Sequence, residues 1–263
     1  MELKDSIIIH GPGKSGTTLL NDILALHPDL YWISTYLNRY PDLPILSVLN
    51  NLQATRIVEK YSRDKKKFPR PAEAFNFYSH YIPDFRLNKS SFDPKEIKSL
   101  QQALHRIGNF QKGGRLITKI TGPSRADFLE QVFENPYVIW IDREPKSIIT
   151  SYFKYKWRYK DREEQFAAKP KKELIKEYTE YYNWINKEKE RLRHFRFKKV
   201  SYEAFVEDPT GFFEDLCLFL DLDYSPSFQK TVLSWNIRKN TNEQYKKFFN
   251  EEELEYLNDL LTL

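Results

Sequence analysis

The stretch Ser6–Leu20, SIIIHGPGKSGTTLL, decides the reading of this chain. An apolar run of strand length enters a Gly-rich turn, and a helical pattern leaves it. In that build, the backbone N–H groups of the turn and helix start converge on one point and favour an anion there. The nucleotide-hydrolysing version of such a loop reads G-x-x-x-x-G-K-[ST]. Gly11 and Gly16 keep that spacing, but Thr17 stands in the lysine's place, and the loop's lysine is Lys14, three positions earlier. The cradle suits phosphate, and its charge is placed for chemistry other than ordinary ATP hydrolysis. A tight turn that binds nothing would share the glycines.

Around this loop, short apolar runs alternate with helical patterns. Strands are expected at Ile7–His10, Leu30–Ile33, Arg115–Lys119, Tyr137–Asp142 and Lys198–Ser201. Helices are expected at Ser15–Leu26, Pro94–Ile107, Ser124–Phe133, Pro145–Lys156, Pro170–Arg193 and Pro209–Leu220. Strands separated by helices imply parallel crossovers. The expected fold is therefore α/β: a three-layer, P-loop-like domain whose central parallel sheet of about five strands is flanked by helices. Ligands of such sheets bind beyond the carboxyl ends of the strands, where the loop after Ile9 and Arg143 both fall.

A chain of 263 residues suffices for one large domain, and no Gly/Ser/Pro-rich linker divides it. We read 1–263 as a single domain in which 35–114 forms an acceptor-binding or cap segment. The irregular part of that segment, Thr35–Ser91, holds PRPAEAFNFYSHY at Pro69–Tyr81. With 19 Phe, 17 Tyr and 5 Trp, most rings are expected in the core. The formal charge of +5 suits an anionic ligand without requiring nucleic acid. A single cysteine, Cys217, excludes a disulfide scaffold and reads as a buried small hydrophobe. No signal peptide precedes the first strand and no run is apolar enough to span a membrane, so the expected compartment is the cytoplasm. The five histidines are scattered, no HExxH or paired Cys ligands occur, and no metal site is expected.

A second motif, YVIWIDREPKSIITSYFKYKW at Tyr137–Trp157, delivers Arg143 to a strand's carboxyl end, and Pro145 opens the following helix. Ser147 and Ser151 are four apart and share a helix face. Arg143 and Ser151 can converge on one anion, for which the planar guanidinium fork is suited. Alone, such an arginine is equally a salt-bridge partner.

Together, the Lys-Ser-Gly-Thr-Thr loop and R-x-P-x-x-x-x-x-S resemble the sulfotransferases that use 3′-phosphoadenosine 5′-phosphosulfate (PAPS), nearer the bacterial than the animal cytosolic type. Two further stretches resemble that family: VSYEAFVEDPTGFFEDLCLFLDL, Val200–Leu222, and IRKN, Ile237–Asn240, where Asn240 replaces the usual glycine. The resemblance implies that Gly13, Lys14, Ser15, Gly16, Thr17 and Thr18 grip the 5′-phosphosulfate, with Lys14 at the leaving oxygen. It implies that Arg143 and Ser151 grip the 3′-phosphate, that Tyr202 contacts the adenine, and that Arg238 and Lys239 close over the 3′-phosphate. PAPS would be the co-substrate and PAP (3′-phosphoadenosine 5′-phosphate) the product, without metal. Sulfuryl transfer to a hydroxyl or amine of a carbohydrate or small molecule would follow.

The family's general base is not matched. Where many relatives place a His after a Lys-Thr pair, this chain reads Lys119-Ile120-Thr121-Gly122. Where others place a Glu after the second strand, it reads Trp32-Ile33-Ser34-Thr35. Glu73 is the first candidate for the base, against a reading in which it merely complements a helix start; His80 and His27 follow. Lys119 and Arg125 are further candidates for the cleft, Arg125 with an anionic partner. Rings near Trp32, Tyr36, Phe75, Phe77 and Tyr78 suit a sugar or an apolar alcohol equally. Two other classes stay open: a nucleotide kinase or hydrolase with a degenerate loop, and a PAP-binding protein without catalysis. Acceptor identity and oligomeric state are not written in these motifs.

Overall fold

The computed structural model of the chain describes residues 3–54, 69–87, 89–111, 113–237 and 242–262. Five strands, β1 (Ile7–Gly11), β2 (Leu30–Trp32), β3 (Arg115–Thr121), β4 (Tyr137–Asp142) and β5 (Arg196–Ser201), form one sheet in the order β2-β3-β1-β4-β5. Every pairing is parallel, with Ile9 opposite Lys119 and His10 opposite Trp140. The fold is the expected α/β sheet flanked by helices.

The period of two along the strands divides the core. Ile8, Leu116, Ile120, Val138 and Trp140 pack on one face against helices Phe75–Tyr81, Pro94–Gln111 and Ala126–Val132. Ile7, Ile9, Ile117, Ile139 and Ile141 pack on the other against helices Thr17–Leu24, Tyr202–Glu207, Pro209–Phe219 and Pro226–Ser234. Helices Pro145–Lys154, Lys171–Glu188 and Glu251–Leu260 enclose a third apolar cluster. Trp140, Tyr152, Tyr178, Tyr182 and Phe85 are fully buried, and so is Cys217, whose thiol burial pushes up to about 12.

Element ends differ from expectation for local reasons. The first helix starts at Thr17, because Gly16, at φ 102, is left-handed and acts as its N-cap. β5 starts at Arg196, two residues early, since Arg196 and Phe197 continue the ladder opposite Tyr137 and Val138. The long helix from Pro170 gives way at Lys189–Leu192 to a 3-10 turn. From β1 the chain crosses to β2 and β3 on one side, then to β4 and β5 on the other. The crevice between the carboxyl ends of β1 and β4 is therefore the topological switch point, where open α/β sheets bind ligands.

Candidate active site

Gly11, Lys14 and Gly16 have φ of 150, 71 and 102, so the loop after β1 turns through the left-handed region three times. A Cβ at Gly16 would stand 2.4 Å from the Tyr202 ring, and one at Gly13 would stand 2.9 Å from Trp157. Those two rings lie against the loop because the glycines leave room for them. Lys14 extends over the Tyr155 ring, with Nζ 3.6 Å from its centroid, and Trp157 lies 5.6 Å away. Burial first, then the Lys160 and Lys119 charges, lowers the Lys14 pKa.

Across the switch point, Arg143 donates from Nη1 to the Lys14 carbonyl at 2.9 Å and lies 4.4 Å from the Tyr202 ring centroid. The ends of the two strands are thus tied through one guanidinium. Tyr202 is placed by a helix whose N-cap, Ser201, accepts from the backbone of Glu203 and Ala204.

Glu73 arrives from the other side. Thr35 N–H donates to the Arg70 carbonyl at 2.8 Å and Ala72 N–H to the Ile33 carbonyl at 2.9 Å, with an antiparallel bridge between Ser34 and Pro71. This pins the 70–72 strap beside the chain leaving β2. Ala74 then turns left-handed, at φ 51, as N-cap of helix Phe75–Tyr81. Asn38 Oδ1 accepts from the Asn76 and Phe77 N–H groups, so that helix start is satisfied without Glu73. The Glu73 carboxylate instead accepts from the Thr121 hydroxyl and lies 3.8 Å from Lys119 Nζ. Lys119, nearly buried, donates to Thr18 Oγ1 at 2.8 Å.

These side chains border one cavity of about 420 Å³, lined by Gly13, Lys14, Gly16, Thr17, Thr18, Leu19, Asp22, Glu73, Lys119, Thr121, Arg143, Trp157 and Tyr202. Ser15 and Ser151 do not line it. The Ser15 side chain is buried beneath the loop, and Ser151 Oγ donates to the Ser147 carbonyl at 2.9 Å. Arg238 and Lys239 lie outside the described residues.

Three expectations need correction. Arg125 does not line the cavity. It is buried and donates to the carbonyls of Phe85, Thr121 and Pro123, and burial brings its pKa down to about 10. Trp32, Phe77 and Tyr78 belong to the core, and neither Tyr36 nor Phe75 reaches the cavity wall. His80 pairs with Asp42 at 2.7 Å away from this cavity, while His27 holds the Asp223 carbonyl and the Asp29 N–H. Sequence reasoning missed Asp22, Trp157 and Tyr155. Asp22 carried a signal, being one helical turn from Thr18. Among the described residues, no group of three or more His, Cys, Asp or Glu is arranged to hold a metal.

Residues 6–226 match the sulfotransferase family. The chain belongs to that family. It is a PAPS-dependent sulfotransferase, as its motifs resemble. The sulfotransferase is similar in fold to sulfotransferase STF9 from Mycobacterium avium, at 13% identity over 98% of this chain and 76% of that one, with a TM-score of 0.65. It is similar also to the sulfotransferase domain from the curacin biosynthetic pathway, at 15% identity over 100% of both chains and TM-score 0.59. The mouse sulfotransferase SULT7A1, solved in complex with PAP, matches at 12% identity over 97% of this chain and 82% of that one, with TM-score 0.53. No curated protein matches the sulfotransferase in a sequence comparison. Among the described residues, no helix is long and apolar enough to cross a membrane.

Proposed function

We propose that the enzyme moves a sulfuryl group from PAPS to a hydroxyl of a carbohydrate or small-molecule acceptor by in-line displacement. The observation that carries this reading is the meeting of Lys14, Arg143 and Glu73 on one cavity at the switch point. The cavity fits the donor's chemistry. Three cations, Lys14, Lys119 and Arg143, face it, and glycines at 13 and 16 keep the loop's backbone open to a phosphate. PAPS supplies the sulfuryl group and a leaving 5′-phosphate.

The chain's residues do the rest. Gly13–Thr18 and Arg143 bind and orient the donor, and Tyr202 and Trp157 offer faces for its base. Lys14 meets the charge that develops on the oxygen bridging sulfur and phosphorus. Glu73 takes the acceptor's proton while the acceptor oxygen bonds to sulfur and the bond from sulfur to the bridging oxygen breaks. The released electron pair stays with PAP. By analogy with phosphoryl transfer, positioning and electrostatic stabilisation supply most of the acceleration. Residues 35–114, which carry Glu73, form the acceptor-binding segment of a single domain.

Thermal unfolding tests the donor assignment. PAP added without magnesium at about 100 times its Kd should stabilise the fold by about 2.7 kcal/mol. Stabilisation by ATP only with magnesium, and none by PAP, would show a nucleotide kinase or hydrolase instead.

A further inference from the structure

Asp22 belongs to the cavity wall, yet the transfer reaction above gives it no task. It stands one helical turn after Thr18 on helix Thr17–Leu24, beside Glu73, Lys119 and Thr121. Its Oδ1 is buried and meets no donor among the described residues. Burial pushes the carboxyl up to about 6, against the pull of Lys119 and Arg70 and a side-chain hydrogen bond with Asn21. A carboxylate oxygen so placed is costly until a donor reaches it. The surrounding wall also carries the side chains of Thr17, Thr18 and Thr121. Leu19 is its single aliphatic member, and the two rings, Trp157 and Tyr202, lie against Gly13 and Gly16 on the donor loop.

We propose that Asp22 is a specificity residue for the acceptor, accepting a hydrogen bond from a second hydroxyl of a polyhydroxylated, sugar-like or polyol molecule whose neighbouring hydroxyl faces Glu73. This rests on the sulfotransferase reading of the cavity. A monohydroxylic, apolar alcohol brings no donor to Asp22 and is disfavoured, which separates the two acceptor classes that the sequence leaves equal.

The test is a panel of methyl pyranosides, their monodeoxy counterparts and simple aliphatic alcohols, with PAP release measured alongside PAP binding. The wild-type enzyme should prefer a pyranoside over one of its monodeoxy forms by about 10- to 100-fold in kcat/KM, the range of a hydrogen bond to a charged group. Asp22→Ala should bring that ratio close to one, chiefly by lowering the rate with the full pyranoside, and leave PAP affinity within about twofold. Asp22→Asn, which keeps the shape and loses the charge, should give an intermediate ratio. Equal loss on both members of the pair, an unchanged ratio, or transfer to aliphatic alcohols alone or to none of the panel, each with PAP still bound, would overturn the role of Asp22 only. Absence of PAP binding in the wild type would instead overturn the donor reading beneath it.

Discussion

Lys14 holds a backbone conformation that a lysine adopts rarely, and its ammonium lies on the Tyr155 ring rather than on a carboxylate. Held over an aromatic face in a partly desolvated cavity, the charge is ready for an anion and is not neutralised beforehand. Lys14→Ala should lower kcat by at least about 100-fold, the usual effect of removing a group that meets developing charge, while PAP affinity changes far less. Glu73→Gln should reduce turnover and leave PAP binding intact; unchanged turnover removes it as the base. Single-turnover rates with PAP titrations check both. Lys14 was legible from the spacing of the glycines. Glu73 was legible only as a candidate, because its partners Thr121 and Lys119 lie 48 and 46 residues away in the chain, and no local pattern announces such a meeting. For Asp22 the sequence offered only its place one helical turn from Thr18, since burial of one carboxylate oxygen is a property of packing.

At the scale of elements, the loop and the sheet were the legible parts. Continuous apolar runs such as IIIH and YVIWI leave a strand buried on both faces as the economical outcome, and the alternation with helices fixes parallel pairing. Strand β5 was read from Lys198 onward; Arg196 and Phe197, which extend its ladder opposite Tyr137 and Val138, were not. Arg125 was misread because sequence shows a cation at a helix start but not the three carbonyls that surround it. The loop itself makes a direct prediction. Gly16→Ala places a Cβ on the Tyr202 ring and forces an L-residue to φ 102, so it should cost about 1–3 kcal/mol and weaken PAP binding. Denaturant unfolding, with and without PAP, measures both effects.

For the whole molecule, two buried groups set opposing responses to acid. His10 accepts from the Gly11 N–H at Nδ1 and faces the Pro123 carbonyl at Nε2, so it is held neutral; burial, then Arg125, lowers its pKa to about 3. Its folded pKa lies below its unfolded value of 6.5, so its contribution is complete above pH 6.5 and is lost as pH falls toward 3. Asp22 has the opposite sign. Its folded pKa of about 6 exceeds the ordinary 3.8, so the fold carries no penalty from it below pH 3.8 and the full penalty above pH 6. Asp22→Asn should therefore be more stable than the wild type near neutral pH, by roughly 1–3 kcal/mol at about 1.4 kcal/mol per pKa unit. The gain should shrink to nothing near pH 4, exposing the acid sensitivity due to His10. Denaturant midpoints between pH 4 and 7.5 read this directly, and a gain independent of pH would refute it.

The 70–72 strap is tethered to residues 33–35 chiefly through backbone groups, the N–H groups of Thr35 and Ala72 and the carbonyls of Arg70 and Ile33, with the Thr35 hydroxyl also accepting from the Arg70 N–H. The backbone part of such a tether does not depend on which side chains the strap carries. The strap can therefore exchange residues over generations without loosening its attachment, while the glycines and Lys14 opposite are fixed by close packing and donor chemistry. Side-chain replacements in the strap should therefore be tolerated more readily than replacements in the donor loop, which makes the acceptor wall the place to engineer new preferences.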